Sequence, residues 1–300
     1  MRSMEKIMSL SRYLDINNET ATNYLKKIEN YFEREKADVL SYFGSIEPQN
    51  EEKFKKVLGN LIEEKSNNSH STLVIILQTN GGSAETTKKF VDYIRSNYEK
   101  CIFIVPRHAM SAGTIWCMSG DEIYMSNLSH LGPIDPQIYS IKEQRFIPAN
   151  GYIEEYENLI QKSRDGILTN AEYAILANQD LGFINSCRQS RELAVDLLKK
   201  WLVEYKFKNW NETETNKTSV TPKMKKDRAE QIARVLGDNA KWRSHGYPLS
   251  IKELTSEEIK LKIENYSNIK SLNNLITEYV EFMDGVVNPN VCFMHTRNYI

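Results

Sequence analysis

The sequence predicts an α/β fold carried by a largely parallel sheet. Three observations predict it. Leu73-Val74-Ile75-Ile76-Leu77 and Cys101-Ile102-Phe103-Ile104-Val105 are continuously apolar and rich in β-branched residues, as strands covered on both faces are. Between them, Phe90, Val91, Ile94 and Tyr98 recur at helical spacing. After the second run come a small-residue turn, a helical segment through Ile115 to Met118, and a short strand at Glu122-Ile123-Tyr124-Met125. This alternation requires right-handed crossovers, and in such sheets ligands sit beyond the carboxyl ends of the strands.

The other elements follow in order. From Thr20 to about Tyr42, the spacing of Tyr24, Leu25, Ile28, Tyr31 and Phe32 predicts a helix, either a dimerisation arm or a lid on the core. Phe54, Val57, Leu58, Leu61 and Ile62 predict a second helix, closed by a polar loop at 65–70. Gln78-Thr79-Asn80-Gly81-Gly82-Ser83 ends the first buried strand. Its glycine pair permits positive φ or close approach of backbone to a ligand, and Ser83 caps the next helix. Leu131-Gly132-Pro133-Ile134-Asp135-Pro136-Gln137 is a stiff turn-rich segment. Helices follow around Ile153 to Ile160, from the Thr169 cap, and from Phe183 to Lys206. After a polar linker at 209–217 come a Thr221-Pro222 helix ending at Gly237 and a Ser250–Glu253 capping box. Leu272 to Met283 is helical, and Val291-Cys292-Phe293-Met294-His295 resembles a strand of undefined position. The expected organisation is a helical arm at 1–70, a core with helical extension at 71–206 and a helical C-terminal region at 207–300.

Composition narrows the function classes. In 300 residues, 39 Lys plus Arg nearly balance 40 Asp plus Glu, so nothing marks a nucleic-acid partner. Cys101, Cys117, Cys187 and Cys292 are scattered, which predicts free thiols in a reducing compartment rather than a disulfide framework. No apolar stretch approaches the ~18 residues of a membrane span and no signal-peptide core opens the chain, so the expected location is cytoplasmic. Cys292 and His295 have the spacing of half a zinc site without a second pair, so no metal is expected. No cofactor is expected either, because Gly81-Gly82 lacks the further glycine of a dinucleotide fingerprint.

The chemistry centres on Pro106-Arg107-His108-Ala109-Met110-Ser111-Ala112-Gly113-Thr114, a strand-to-helix turn. A helix N-terminus there offers unpaired N–H groups and a positive dipole end, which favour developing negative charge. Taken alone, Ser-Ala-Gly is better explained as a helix N-cap followed by tight packing.

Read together, Thr79-Asn80-Gly81-Gly82, Val105 through Thr114, Asp121-Glu122-Ile123 and Leu131-Gly132-Pro133-Ile134-Asp135-Pro136-Gln137 resemble the serine dehydrogenase proteinase family. That family is similar to the Clp-type and signal-peptide-peptidase-A-type serine proteases and shares their crotonase-like fold. The resemblance is strong over about 70–140 and weaker on to His245-Gly246-Tyr247-Pro248. It implies an α/β Clp/crotonase-like fold with a parallel core and a helical C-terminal extension. It also implies hydrolysis of a polypeptide substrate, with Ser111 as nucleophile and an oxyanion hole from the N–H of Ala112 and one from Gly81-Gly82. Assembly as a homo-oligomer follows from the same resemblance. Asn80 departs from the proline usual in related proteases, which leaves that turn less rigid.

A serine hydroxyl needs a base to take its proton. Signal-peptide-peptidase-A-like enzymes use a downstream lysine, for which Lys162 and Lys142 stand at suitable remove. Clp-type proteases use a histidine where this chain has Pro133-Ile134-Asp135-Pro136, leaving His130 slightly early and His245 as the loop alternative. Asp135 either orients a base or holds its loop. Two other functions use the same frame: a crotonase-like acyl-CoA enzyme, which needs the oxyanion hole but no serine nucleophile, and a non-catalytic polypeptide-binding or assembly module.

Overall fold

The computed structural model describes residues 18–65, 70–140, 144–213, 215–286 and 291–297. A first helix (α1, residues 18–31) ends in a 3-10 turn, and Lys36, at φ 49°, redirects the chain into strand β1 (Ala37–Phe43). The helix expected to reach about Tyr42 therefore stops a turn and a strand earlier. Next come α2 (Glu51–Lys65), β2 (Thr72–Gln78), α3 (Ala84–Arg95), β3 (Lys100–Val105), β4 (His108–Ala109), α4 (Ala112–Cys117), β5 (Glu122–Met125) and β6 (His130–Leu131). An antiparallel hairpin of β7 (Gln137–Ser140) and β8 (Arg145–Pro148) leads into α5 (Ala149–Arg164), α6 (Asn170–Ala177) and α7 (Leu181–Trp201), the last continued by a π turn at Leu202–Lys206. Then follow α8 (Pro222–Leu236), α9 (Asn239–Trp242), α10 (Ile251–Leu254), β9 (Glu264–Asn265), α11 (Lys270–Val286) and β10 (Phe293–His295).

The main sheet has the order β10-β1-β2-β3-β5-β9, parallel except for β10. The strand expected near His295 thus finds its place, antiparallel on the outer side of β1. The sheet draws β1, β9 and β10 from outside residues 71–206. This is an α/β fold with a mixed sheet and substantial helical content.

Both faces of the sheet are covered, which explains the unbroken apolar runs. On one face Leu73, Ile75, Leu77, Phe103 and Val105 meet α2, α3, α4, α7 and α8. On the other, Val74, Ile76, Ile102 and Ile104 meet α1 and α11. Leu25 and Ile28 of α1 are fully buried there, so α1 covers the core. The polar atoms that β1 carries inward are paired. Asp38 accepts from Tyr98 Oη at 2.7 Å and Arg297 Nη1 at 2.7 Å, and Ser41 Oγ lies 2.6 Å from Tyr279 Oη.

Short α4 is fixed in depth by Trp116, fully buried against Tyr42, Phe90 and Phe103 at centroid distances of 5.1, 5.3 and 5.9 Å. Edge and tilted aromatic pairs of this kind each add about 0.5–1.5 kcal/mol beyond burial itself. The anchor holds the helix whose first residue follows Ser111.

Candidate active site

The carboxyl ends of β2 and β3 lead to two turns that are bonded to each other. Thr79 N–H donates to His108 O at 3.1 Å, and Met110 N–H donates to Thr79 O at 2.9 Å. The glycine turn is thereby laced to the segment that ends in Ser111. Gly81 sits at φ 103°, and a Cβ there would stand 2.8 Å from Met110 O, 2.9 Å from Ser111 Cβ and 3.4 Å from Ala112 N. Only a residue without a side chain lets the turn approach Ser111 this closely. Gly82, at φ 146°, would place a Cβ 2.1 Å from Ile46 O.

The N–H groups of this turn are not equivalent. Gly81 N–H donates to Thr79 Oγ1 at 3.0 Å, and Ser83 N–H donates to Ile46 O at 2.8 Å. Among the described residues, the N–H groups of Gly82 and Ala112 have no protein acceptor. Among the described residues the unpaired N–H of the turn is thus that of Gly82, while Gly81 allows the close approach to Ser111.

Ser111 adopts φ 50° and ψ −116°, a backbone conformation that side-chain-bearing residues rarely hold. Its side chain makes no capping hydrogen bond, although it occupies the N-cap position of α4. Ser83, Thr169, Thr221 and Ser250 do cap their helices through their hydroxyls. The hydroxyl of Ser111 is therefore not spent on the helix, and the strained turn needs a reason other than capping. α4 also packs closely against the glycine turn: a Cβ on Gly113 would lie 2.4 Å from Thr79 Cγ2.

The segment with Asp135 runs beside this turn. His108 and Ala109 pair in parallel with His130 and Leu131. Leu131 in turn exchanges two backbone hydrogen bonds with Leu249, at 3.0 and 2.9 Å, in an antiparallel bridge. Asp135 lies four residues after Leu131 and His245 four before Leu249, so the antiparallel alignment brings them face to face. His245 Nδ1 stands 3.0 Å from Asp135 Oδ1. Asp135 is buried and the His245 side chain is 21% exposed. A carboxylate accepts, so the facing Nδ1 is the donor; in the neutral ring that leaves Nε2 as the acceptor.

The other candidate bases stand differently. Lys162 Nζ is 2.7 Å from Glu172 Oε1, between α5 and α6. That hydrogen bond raises its pKa, opposite to the lowered value a lysine base requires. Lys142 lies outside the described residues. His130 and His108 stack on neighbouring strands with centroids 5.7 Å apart, and burial, with the His130 charge, lowers the pKa of His108.

Sequence reasoning passed over two threonines. Thr79 engages Gly81 as described, and Thr114 joins α4 to Gly132 through its hydroxyl. Both residues stand inside the recognisable motifs, but a partner 18 positions away leaves no local pattern. Among the described residues, no helix is long and apolar enough to cross a membrane.

Two uncharacterized proteins of Methanocaldococcus jannaschii are similar to the chain. One is 26% identical over 195 residues, 65% of this chain and 52% of that protein; the other is 24% identical over 190 residues, 63% of this chain and 52% of that protein. The chain spans about half the length of the curated relatives it matches. Among solved structures, a lysine-to-alanine mutant of the 1510-N membrane-bound stomatin-specific protease in complex with a substrate peptide aligns with a TM-score of 0.32 and 23% identity. It covers 42% of this chain and 60% of that one. A serine-to-alanine mutant of the same protease gives 0.32 and 21%, over 42% and 63%. Residues 55–221, more than half of the chain, match the family described as ClpP-like SDH-type serine proteinase, and the chain belongs to that family.

Proposed function

We propose that this chain is a serine peptidase in which Ser111 is the nucleophile, His245 the general base and Asp135 the group that orients it. The observation that carries the proposal is the 3.0 Å contact between His245 Nδ1 and buried Asp135, which follows the short strand β6 paired to β4, the strand just before Ser111. Ser111 Oγ attacks the peptide carbonyl carbon, and His245 Nε2 takes the hydroxyl proton. The carbonyl oxygen becomes an oxyanion, held by the N–H groups of Gly82 and Ala112; each such donor contributes about 2.7–4 kcal/mol of transition-state stabilisation. His245 then protonates the leaving amine. Water hydrolyses the acyl-enzyme, giving its proton to His245, which returns it to Ser111 Oγ as the acid departs.

The sheet with its two turns at the strand ends supports a Clp/crotonase-like assignment related to Clp-type and signal-peptide-peptidase-A-type proteases. The base here comes from a later loop, as His245, rather than from the strand after the nucleophile helix. Lys162 and His130 fall outside this mechanism, and Gly81 acts by making room. The substrate is a polypeptide, and the working form is a homo-oligomer. The four free cysteines, three of them buried, accord with a reducing, cytoplasmic location.

The experiment is pre-steady-state hydrolysis of a p-nitrophenyl ester. A burst of one nitrophenolate per Ser111, absent from Ser111→Ala, is expected. A burst that survives Ser111→Ala places the nucleophile elsewhere, and no burst together with tight coenzyme A binding returns the acyl-CoA function.

A further inference from the structure

We propose that Thr114 is a positioning residue, whose hydroxyl sets the separation between the Ser111 turn and the segment that carries Asp135. The inference rests on the assignment of Ser111, His245 and Asp135 above.

Thr114 is fully buried in the first turn of α4. Its Oγ1 lies 2.8 Å from Ala109 O and 2.9 Å from Gly132 O, and it accepts the Gly132 N–H at 2.9 Å. One hydroxyl thus touches three points: the strand two residues before Ser111, both backbone groups of the residue three before Asp135, and, through its own backbone, the helix that Ser111 opens. The β4–β6 ladder ends at Ala109 and Leu131. Beyond it the two segments carry their reacting groups with Thr114 as the joint between them.

Two further contacts show that the joint is tight. A Cβ on Gly132 would fall 2.6 Å from Met110 Cε and 3.3 Å from Met110 Cα, so this glycine lets the segments close. The hydroxyl has one proton for two carbonyls, and accepting the Gly132 N–H fixes where its lone pairs point. A buried hydroxyl so surrounded admits little drift, and a misplacement of about 1 Å in an active site costs ~100-fold in rate. His245–Asp135 is formed by other contacts, so Thr114 governs the distance from nucleophile to base and leaves the base itself unchanged.

The test measures the second-order rate of fluorophosphonate labelling against pH for wild type, Thr114→Val, Thr114→Ser and Ser111→Ala, with thermal melts of each. Labelling of wild type but not of Ser111→Ala comes first; its absence rejects the assignment of Ser111 and, with it, the positioning role of Thr114, whereas the outcomes below reject the role of Thr114 alone. Given that labelling, folded Thr114→Val is expected to react at least ~10-fold more slowly, with the same pH inflection and a lower plateau. Thr114→Ser, which keeps the hydroxyl, is expected within ~3-fold of wild type. A Thr114→Val rate equal to wild type, a shifted inflection, or a Thr114→Ser rate as low as Thr114→Val each overturns the proposal. Should Thr114→Val not fold, Thr114→Ala takes its place as the variant without the hydroxyl: a fall of ~10-fold or more, with Thr114→Ser near wild type, upholds the role, and a wild-type rate rejects it.

Discussion

His245 Nδ1 and Asp135 Oδ1 lie 3.0 Å apart although 110 residues separate them in the chain. The Leu131–Leu249 bridge aligns the two segments antiparallel, and the same Leu131 is the neighbour of Ala109, two residues before Ser111. Short backbone pairings therefore bring an imidazole to a carboxylate from a distant stretch, beside the segment that leads into Ser111.

Asp135→Asn tests the orienting role. The amide offers an N–H where the carboxylate only accepted, so the imidazole turns its lone pair to Nδ1 and Nε2 keeps the proton. We expect ester hydrolysis to fall ~10³–10⁴-fold with the fold retained, as loss of the correct tautomer does in serine-protease triads. Activity within a few-fold of wild type makes Asp135 structural.

Lys162→Ala separates the histidine base from the lysine base. Lys162 is ion-paired to Glu172 at a half-exposed position, and its pKa is raised. The expected labelling and hydrolysis rates are within ~2-fold of wild type, because exposed ion pairs contribute little. Abolition of both, in a variant that melts normally, shifts the base to Lys162.

Gly81→Ala probes the turn. The new Cβ meets Met110 O and Ser111 Cβ below 3.0 Å at a φ of 103°. Thermal denaturation is expected to report a loss of about 1–3 kcal/mol. Acylation is expected to suffer more than stability does, since the displaced atoms belong to Ser111 and its neighbours. A stable variant with unchanged acylation contradicts the close approach.

Acid stability follows from His295. Burial lowers its pKa from 6.5 to about 4, so the folded state favours the neutral ring. Such a group contributes stability above the unfolded value of 6.5, and that contribution is lost as pH falls from there towards 4. Between pH 7.5 and 4.5 the urea midpoint should fall, with up to about 3 kcal/mol of the loss due to this ring. His295→Gln, which does not titrate, should lose less of its own stability over the same interval. Equal losses would show that His295 is not the titrating group.

Much of the frame was legible because local physics wrote it. Leu73 to Leu77 and Cys101 to Val105 are buried strands, and the caps at Ser83, Thr169, Thr221 and Ser250 form as their residue types require. β1 was not legible, because Ala37 to Phe43 carries Asp38 and Ser41 among its apolar residues and continues a helical period. Those polar groups belong inside only because Tyr98, Arg297 and Tyr279 reach them from far along the chain. The Ser111 turn and the glycine turn were singled out through motifs that resemble a known family, since small residues at strand ends leave a local mark, whereas the positive φ of Ser111 leaves none in the sequence. The partner of Asp135 could not, because a hydrogen bond across 110 residues leaves none.

The most direct measurement is mass-spectrometric mapping of a fluorophosphonate adduct on the folded chain, for wild type, Ser111→Ala and His245→Gln. The account predicts a single adduct on Ser111, none in Ser111→Ala, and labelling slowed at least ~100-fold in His245→Gln. An adduct on another residue, or labelling of His245→Gln at the wild-type rate, would contradict it.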